Sequence, residues 1–495
     1  MQLEAKTNSE GKNAMSTYID IAEPRATEVA SDKAWSVEQH AIDPIPESDR
    51  HGRPSELFKM WIGANTNYVV VVTGALALSQ GLSFVQALSA IIVGNLLGCI
   101  VLGLSSIMGP KSGTSGIMTS RASFGQVGAF FPMAANLLSA LSWFSINSVV
   151  ATQALEQLLH IMGMTGGYVI WLALALVLAA EILLAIYGHA TIIAAEKWIA
   201  VVLAILFAGL AAFVIPHVTY GQLGALNHGG GNISKWLIAM GMIFAYPIGW
   251  ANFASDYSRY FPAKTNWKKI ALAAGGGQFV ALVFCEVIGL VFAGALGGSL
   301  GNDPVSQLSR FLPTWFIVPL LLSVILGGVA ANVPNGYTAG LGLLAMRIPI
   351  TRVSSLTVIA VFTLIFRILT VIYGQFFDLY QNFLGYMVFW TAPWAAIVIV
   401  DYFLRRGRYS VGDWQKWRAG SYWYKSGYFW PGVIAFAVGV VASLVFSNSP
   451  TYVSPLMSKV LGWGDMSFEF GLIVPGFLYW FLARNKINGE VLRLN

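Results

Sequence analysis

The stretch FAYPIGWANFASDYSRY, Phe244 to Tyr260, lies in an apolar segment and interrupts it. Pro247 and Gly249 stand in the middle of what otherwise reads as a membrane-spanning helix, flanked by Tyr246 and Trp250. Proline removes a helix donor and clashes with the preceding turn, so the spacing predicts a kink or a break there. In hydrocarbon, broken backbone persists only where it is buried in protein or lines a cavity.

A matching interruption opens the first apolar segment. WIGANTN, Trp61 to Asn67, gathers Gly63, Asn65, Thr66 and Asn67. Short polar side chains compete for the helical backbone, so local unwinding is expected. The two interruptions occupy corresponding places in two halves of five spans each. Paired discontinuous helices point to an inverted-repeat transporter with its site near the bilayer midplane.

The rest of the chain fits a membrane protein. Of 495 residues, 56% are hydrophobic and 11% charged, and the mean hydropathy is +0.65. Apolar runs near the ~20 residues that cross a bilayer recur about twelve times. The fold class is therefore all-α and polytopic. A polar tail, residues 1–56, reads as disordered and cytosolic. The transporter core is expected over 57–408, with repeats at about 57–217 and 234–403. Two additional helices and a cytosolic C-terminus are expected over 409–495. No signal-peptide pattern opens the tail. Lys and Arg concentrate in the loops on the N-terminal side, from Arg50 and Lys59 to Arg405 and Lys425. The opposite loops hold Lys235, Arg310 and Lys459. That asymmetry places both termini in the cytoplasm. It also accounts for the basic pI without any nucleic-acid partner. Cys99 and Cys285 form no disulfide framework or metal spacing.

Two further places break the membrane pattern. In SALSWFSINSVV, Ser139 to Val150, residues four apart share a helix face. Asn136, Ser139, Trp143 and Asn147 therefore form one narrow stripe. An indole face can stack on a planar ring, and a carboxamide can both donate and accept at its edge. Interhelical packing uses similar residues, and the stripe alone suits either role. LGGVAANVPNGYTAG, Leu326 to Gly340, adds Asn332 and Asn335 beside Pro334. The segment Trp315–Leu344 that contains it is too long for one straight span and is expected to break near Asn332–Gly336.

Intramembrane carboxylates are costly and mark function. Glu156, Glu181, Glu286 and Asp378 qualify, with Glu286 the best-placed coupling carboxylate and Glu181 next. No mid-span His offers a proton relay.

Taken together, WIGANTN, the Trp143/Asn147 pair, GWANFASDYSRYFP and AANVPNGYTAGLGL resemble the nucleobase–cation symporters, in their purine–cytosine permease branch. IDPIPESDR, Ile42 to Arg50, and PWAAIVIVDYFLRR, Pro393 to Arg406, resemble the same branch. The resemblance implies a leucine-transporter-type five-plus-five inverted repeat with two extra C-terminal helices. It implies that Trp143 and Asn147 bind the base from span three and that Asn332 reads it from span eight. Trp250 takes the span-six aromatic role, with Tyr246 and Phe244 still open. Gly63 and Asn65 match substrate-facing positions of span one. Sodium-coupled members carry side-chain oxygens just before the span-eight Asn. Here Leu326 to Ala331 supply none, so the coupling ion is expected to be a proton rather than sodium.

The expected function is import of cytosine or purines by cation symport through alternating access, in a plasma or inner membrane. Permeases for other planar heterocycles (pyridoxine, hydroxymethylpyrimidine, allantoin or a hydantoin) and an amino-acid permease of the same fold are the alternatives. No catalytic constellation, metal site or cofactor motif appears. The oligomeric state is open.

Overall fold

The computed structural model describes residues 43–187, 189–218, 233–348, 352–373, 376–461 and 463–493. The expected tail therefore lies almost wholly outside the described residues. The chain begins with α1 (Pro54–Asn65), α2 (Tyr68–Ser79) and α3 (Phe84–Ser106). Two short helices, α4 (Met108–Ser112) and α5 (Gly116–Phe124), precede the long α6 (Phe130–Ile161). Then come α7 (Val169–Tyr187), α8 (His189–Val214), α9 (Ile233–Gly249) and the short α10 (Ala254–Ser258). The second half continues with α11 (Trp267–Ala295), α12 (Thr314–Ala345), α13 (Arg352–Tyr373) and α14 (Phe376–Arg405). Last are α15 (Trp430–Val445) and α16 (Ser467–Arg493).

Among the described residues, seven helices are long and apolar enough to cross a membrane, and the bent pair α1–α2 makes an eighth span. Shorter apolar stretches lie at Val169–Leu183, Thr357–Thr370 and Trp430–Val445.

The local rules are visible at the helix starts. Pro54 occupies the first turn of α1, where its missing donor costs nothing. Ser83 and Gln86 exchange side-chain and backbone bonds of 3.3 and 3.1 Å, a capping box for α3. The expected unwinding at WIGANTN is present. α1 stops at Asn65 and α2 restarts at Tyr68, bent by 69°. Asn67 caps the new helix by accepting from the Val70 N–H at 3.1 Å.

In the other half the interruption is milder. α9 ends at Gly249, a 3₁₀ turn runs Ala251–Phe253, and α10 resumes at Ala254. Past the proline the backbone tightens into 3₁₀ bonds: the Trp250 N–H reaches the Pro247 carbonyl at 3.2 Å.

The break expected within Trp315–Leu344 is absent. α12 runs unbroken from Thr314 to Ala345 with Pro334 inside it. Beside Pro334, the Asn335 side chain adds a bond within the helix, donating to the Ala331 carbonyl at 3.1 Å. Membrane helices tolerate such prolines where neighbouring groups are buried in protein.

Small residues bring the backbones together. A Cβ added to Gly74 of α2 would lie 2.0 Å from the Glu286 carbonyl oxygen of α11, and one on Gly289 would lie 1.7 Å from that of Val71. Gly98 of α3 likewise seats Pro247. With lipid as apolar as the side chains, such close approach is what membrane helices gain from packing. α16 is tied to α14 by charge. Arg405 pairs with Asp401 at 2.9 Å and Glu490 at 2.7 Å, and the Tyr479 hydroxyl donates to Asp401 at 2.5 Å.

Candidate binding site between the interrupted helices

The stripe read from α6 faces the protein interior. Asn136, Ser139, Trp143 and Asn147 are all buried, while Phe131 and Leu138 on other faces are about 60% exposed. Lipid-facing and inward-facing sides of α6 are therefore separated as the four-residue spacing requires.

Trp143 is enclosed by aromatic edges. Its ring centroid lies 5.0 Å from Tyr246 of α9, 5.1 Å from Phe383 and 6.2 Å from Tyr380 of α14, each at 70° or more. Edge-to-face contacts of this kind suit the ring quadrupole. The indole Nε1 has no hydrogen-bond partner among the described residues. Gly249 makes the approach possible, since a Cβ there would meet Met387 Cε at 2.7 Å and Trp143 Cζ2 at 3.3 Å. Trp250 points elsewhere: it meets Trp61 at 5.8 Å and Phe253 at 5.6 Å. Phe244 stacks on Phe468 at 3.9 Å. Of the three span-six candidates, Tyr246 is the one beside Trp143.

The amides meet one turn further along α6. Asn147 Nδ2 donates to Asn332 Oδ1 at 3.2 Å, and Asn335 Nδ2 reaches the same oxygen at 3.3 Å. Asn332 Nδ2 in turn lies 2.7 Å from Glu181 Oε1, 3.0 Å from Ser148 Oγ and 2.9 Å from the Phe144 carbonyl. Ser148 Oγ is 2.9 and 2.8 Å from the two Glu181 oxygens. One connected polar cluster thus joins α6, α7 and α12. All its members are buried, and buried polar groups must find such partners.

The α1–α2 break lies on the other side of Trp143. Asn67 Nδ2 lies 3.4 Å from the Tyr246 hydroxyl, and the Thr73 and Tyr380 hydroxyls are 2.6 Å apart. Asn65 is fully buried; its Nδ2 donates back to the Trp61 carbonyl at 2.9 Å, and its Oδ1 has no partner among the described residues. Gly63 lines a small cleft at the break, together with Thr66, Ala200, Gly327, Ala330 and Ala331. On the α12 side this cleft offers no side-chain oxygen. The Thr66 hydroxyl donates to the Ile62 carbonyl at 2.8 Å, and Asn67 also lines the cleft.

The two carboxylates fall in different places. Glu181 touches Asn332 directly. Glu286 sits on α11 behind α2, where Asn95 Nδ2 donates to Oε2 at 2.5 Å and Oε1 has no partner among the described residues. No hydrogen bond recorded among the described residues joins Glu286 to Asn147 or Asn332. Glu156 is near the far end of α6, 3.8 Å from His160. Sequence reading missed Ser148, Tyr380 and Phe383. Tyr380 and Phe383 are three apart on one face of α14, the signal that could have found them.

Towards the end expected to face the cytoplasm, further polar contacts join the helices. Asn252 donates to Asn136. The Asp256 carboxylate accepts from the Gly116 N–H at 2.8 Å, and Arg259 donates to the Tyr337 hydroxyl at 2.9 Å.

Comparison with known proteins places the chain in a family. The family described as permeases for cytosine and purines, uracil, thiamine and allantoin matches residues 44–468. A putative purine-cytosine permease of Bacillus subtilis is 29% identical over 470 residues, covering 91% of this chain and 97% of that protein. A purine-cytosine permease of Saccharomyces cerevisiae is 26% identical over 477 residues, covering 88% and 84%. Among solved structures, the nucleobase-cation-symport-1 family transporter Mhp1, closed on bromovinylhydantoin, superposes with a TM-score of 0.73. It is 18% identical, and the match covers 92% of this chain and 97% of that one. With a family match over most of its length and the helix arrangement of a solved symporter, the chain belongs to the cytosine–purine permease family and has its leucine-transporter-type fold.

Proposed function

We propose that this permease imports a nucleobase, cytosine or a purine, by proton symport. It does so by alternating access across a plasma or inner membrane, with both termini cytoplasmic. The observation that carries the reading is the pairing of Trp143 with the amide couple Asn147–Asn332 one turn away, at 3.2 Å. A planar base stacks on the indole, and Tyr246 closes against its other side. The amides offer both donors and acceptors to the base edge, and a ligand lacking matching groups leaves them buried and unpaired. The relatives named as purine-cytosine permeases support the same substrate class.

Proton coupling is supported by the chemistry of the cleft at the α1 break. Hard cations take oxygen ligands, and the α12 wall there is Gly327, Ala330 and Ala331. A buried carboxylate, Glu181, adjoins the amides, and a second, Glu286, is buried behind α2.

Uracil or allantoin transport is the second reading, because the family's description names them beside cytosine and purines. Uptake of labelled cytosine and adenine, with purines, uracil, allantoin, pyridoxine and leucine as competitors, tests the proposal. Competition by bases but not leucine is expected. Uptake inhibited by leucine alone would overturn it.

A further inference from the structure

We infer that Glu181 is the proton-coupling residue and that it acts through Asn332, by competing with the base for the Asn332 amide. The inference rests on the proposed nucleobase symport and assigns its coupling to one side chain.

The hydrogen inventory leads to it. Asn332 Nδ2 has two hydrogens and three acceptors within reach: Glu181 Oε1, Ser148 Oγ and the Phe144 carbonyl. Ionised Glu181 accepts only. It takes a hydrogen from Asn332 and the single hydroxyl hydrogen of Ser148, which saturates the cluster. Charge-assisted bonds are about twice as strong as neutral ones, so ionised Glu181 holds the Asn332 amide hydrogen firmly.

Protonation changes the assignment. The new carboxyl O–H donates to Ser148 Oγ, and the Ser148 hydrogen turns to the Phe144 carbonyl, 2.9 Å away. The remaining Asn332–Glu181 bond is then neutral, and Phe144 no longer needs the amide. Asn332 Nδ2 is released to an acceptor on the base. Proton binding therefore raises base affinity, and by linkage base binding draws a proton onto Glu181. That mutual preference is what symport requires.

No other charge among the described side chains faces Glu181. α12 carries no ionisable residue except Tyr337, which is hydrogen-bonded to Arg259. α6 carries Glu156 and His160 at its far end, paired with each other. α13 carries the buried Arg367, whose charge is felt by Glu156 and Asp303. The side chains of His189, Glu196 and Lys197 on α8 lie outside the described residues.

The test uses the purified full chain in proteoliposomes, with labelled cytosine or adenine. Two rates are compared: gradient-free exchange of internal for external base, and accumulation driven by an imposed pH gradient. In Glu181→Gln, exchange is expected to persist while gradient-driven accumulation falls to the equilibrium level. A purely structural role would lower both together and would overturn the inference. Wild-type base affinity should fall about tenfold from acid to alkaline pH, the order set by exchanging a neutral bond for a charge-assisted one. In the variant it should be flat.

Proton uptake on adding base to weakly buffered wild-type protein keeps the inference testable if the variant does not insert. Uptake is expected, and base binding without it overturns the inference while leaving nucleobase transport standing. Absence of any base binding overturns the substrate reading, and this inference with it. Loss of accumulation in Glu286→Gln but not in Glu181→Gln would move the coupling to the Glu286–Asn95 pair and overturn it too.

Discussion

Trp143 and Tyr246 meet edge to face with centroids 5.0 Å apart, while Trp250, four residues after Tyr246, turns away to Trp61. The ring that closes on a stacked base should therefore come from Tyr246. Trp143→Ala and Tyr246→Ala are each expected to weaken base affinity by the ~1–3 kcal/mol of a stacking contact. Trp143→Phe should keep part of it, and Trp250→Phe should cost less than Tyr246→Ala. Competition binding with labelled base ranks the four variants. The reverse order for Trp250 and Tyr246 would hand the role to Trp250.

Asn147 is buried beside Trp143's helix face and donates to Asn332 Oδ1 at 3.2 Å. Asn147→Ala should abolish or broaden recognition while protein still reaches the membrane. Asn335 still donates to Asn332 Oδ1, so losing the second donor costs about 0.5–1.5 kcal/mol, and ligands differing only at the edge should be affected unequally. The check is a competitor series on the variant. An unchanged competitor ranking at normal uptake would remove Asn147 from the site.

Gly74 and Gly289 hold α2 against α11 with no room for a methyl group. The obstacle in each case is backbone, which cannot rotate aside. Gly74→Ala or Gly289→Ala should lower the melting temperature of the detergent-purified protein, at a cost of about 1–3 kcal/mol or more. Thermal unfolding followed by fluorescence measures this. A stability equal to wild type would mean that the two helices separate freely.

The cleft at the α1 break has only glycine and alanine on its α12 wall. Replacing sodium with potassium at fixed pH and membrane potential should leave base uptake unchanged. A steep rise of uptake with sodium would show that backbone carbonyls suffice for a sodium site.

Much of this was legible in the sequence because membrane helices penalise polar and helix-breaking residues so heavily. WIGANTN predicted a broken span, and the 69° bend is there. The α6 stripe predicted its inward face from spacing alone. The expectation failed at Pro334, which α12 carries without a break in helix packed closely on α6. The size of the interruption at Pro247 was also hidden, because 3₁₀ bonds absorb it. Glu286 was read first because it lies deep in its span; the contact of Glu181 with Asn332 was not legible, because α7 is apolar around it and its pattern does not say which way it is rotated. The choice between Tyr246 and Trp250 likewise depends on how the chain turns after Gly249, which four residues of local sequence do not determine.

The central claim is that a flat base sits on Trp143 and is read by Asn147 and Asn332. The most direct measurement is uptake of labelled adenine by permease-deficient cells expressing this chain, with unlabelled cytosine, hypoxanthine, uracil, pyridoxine and leucine as competitors. The account predicts saturable uptake suppressed by cytosine and hypoxanthine and untouched by leucine. No uptake of any nucleobase, with the protein present in the membrane, would contradict it.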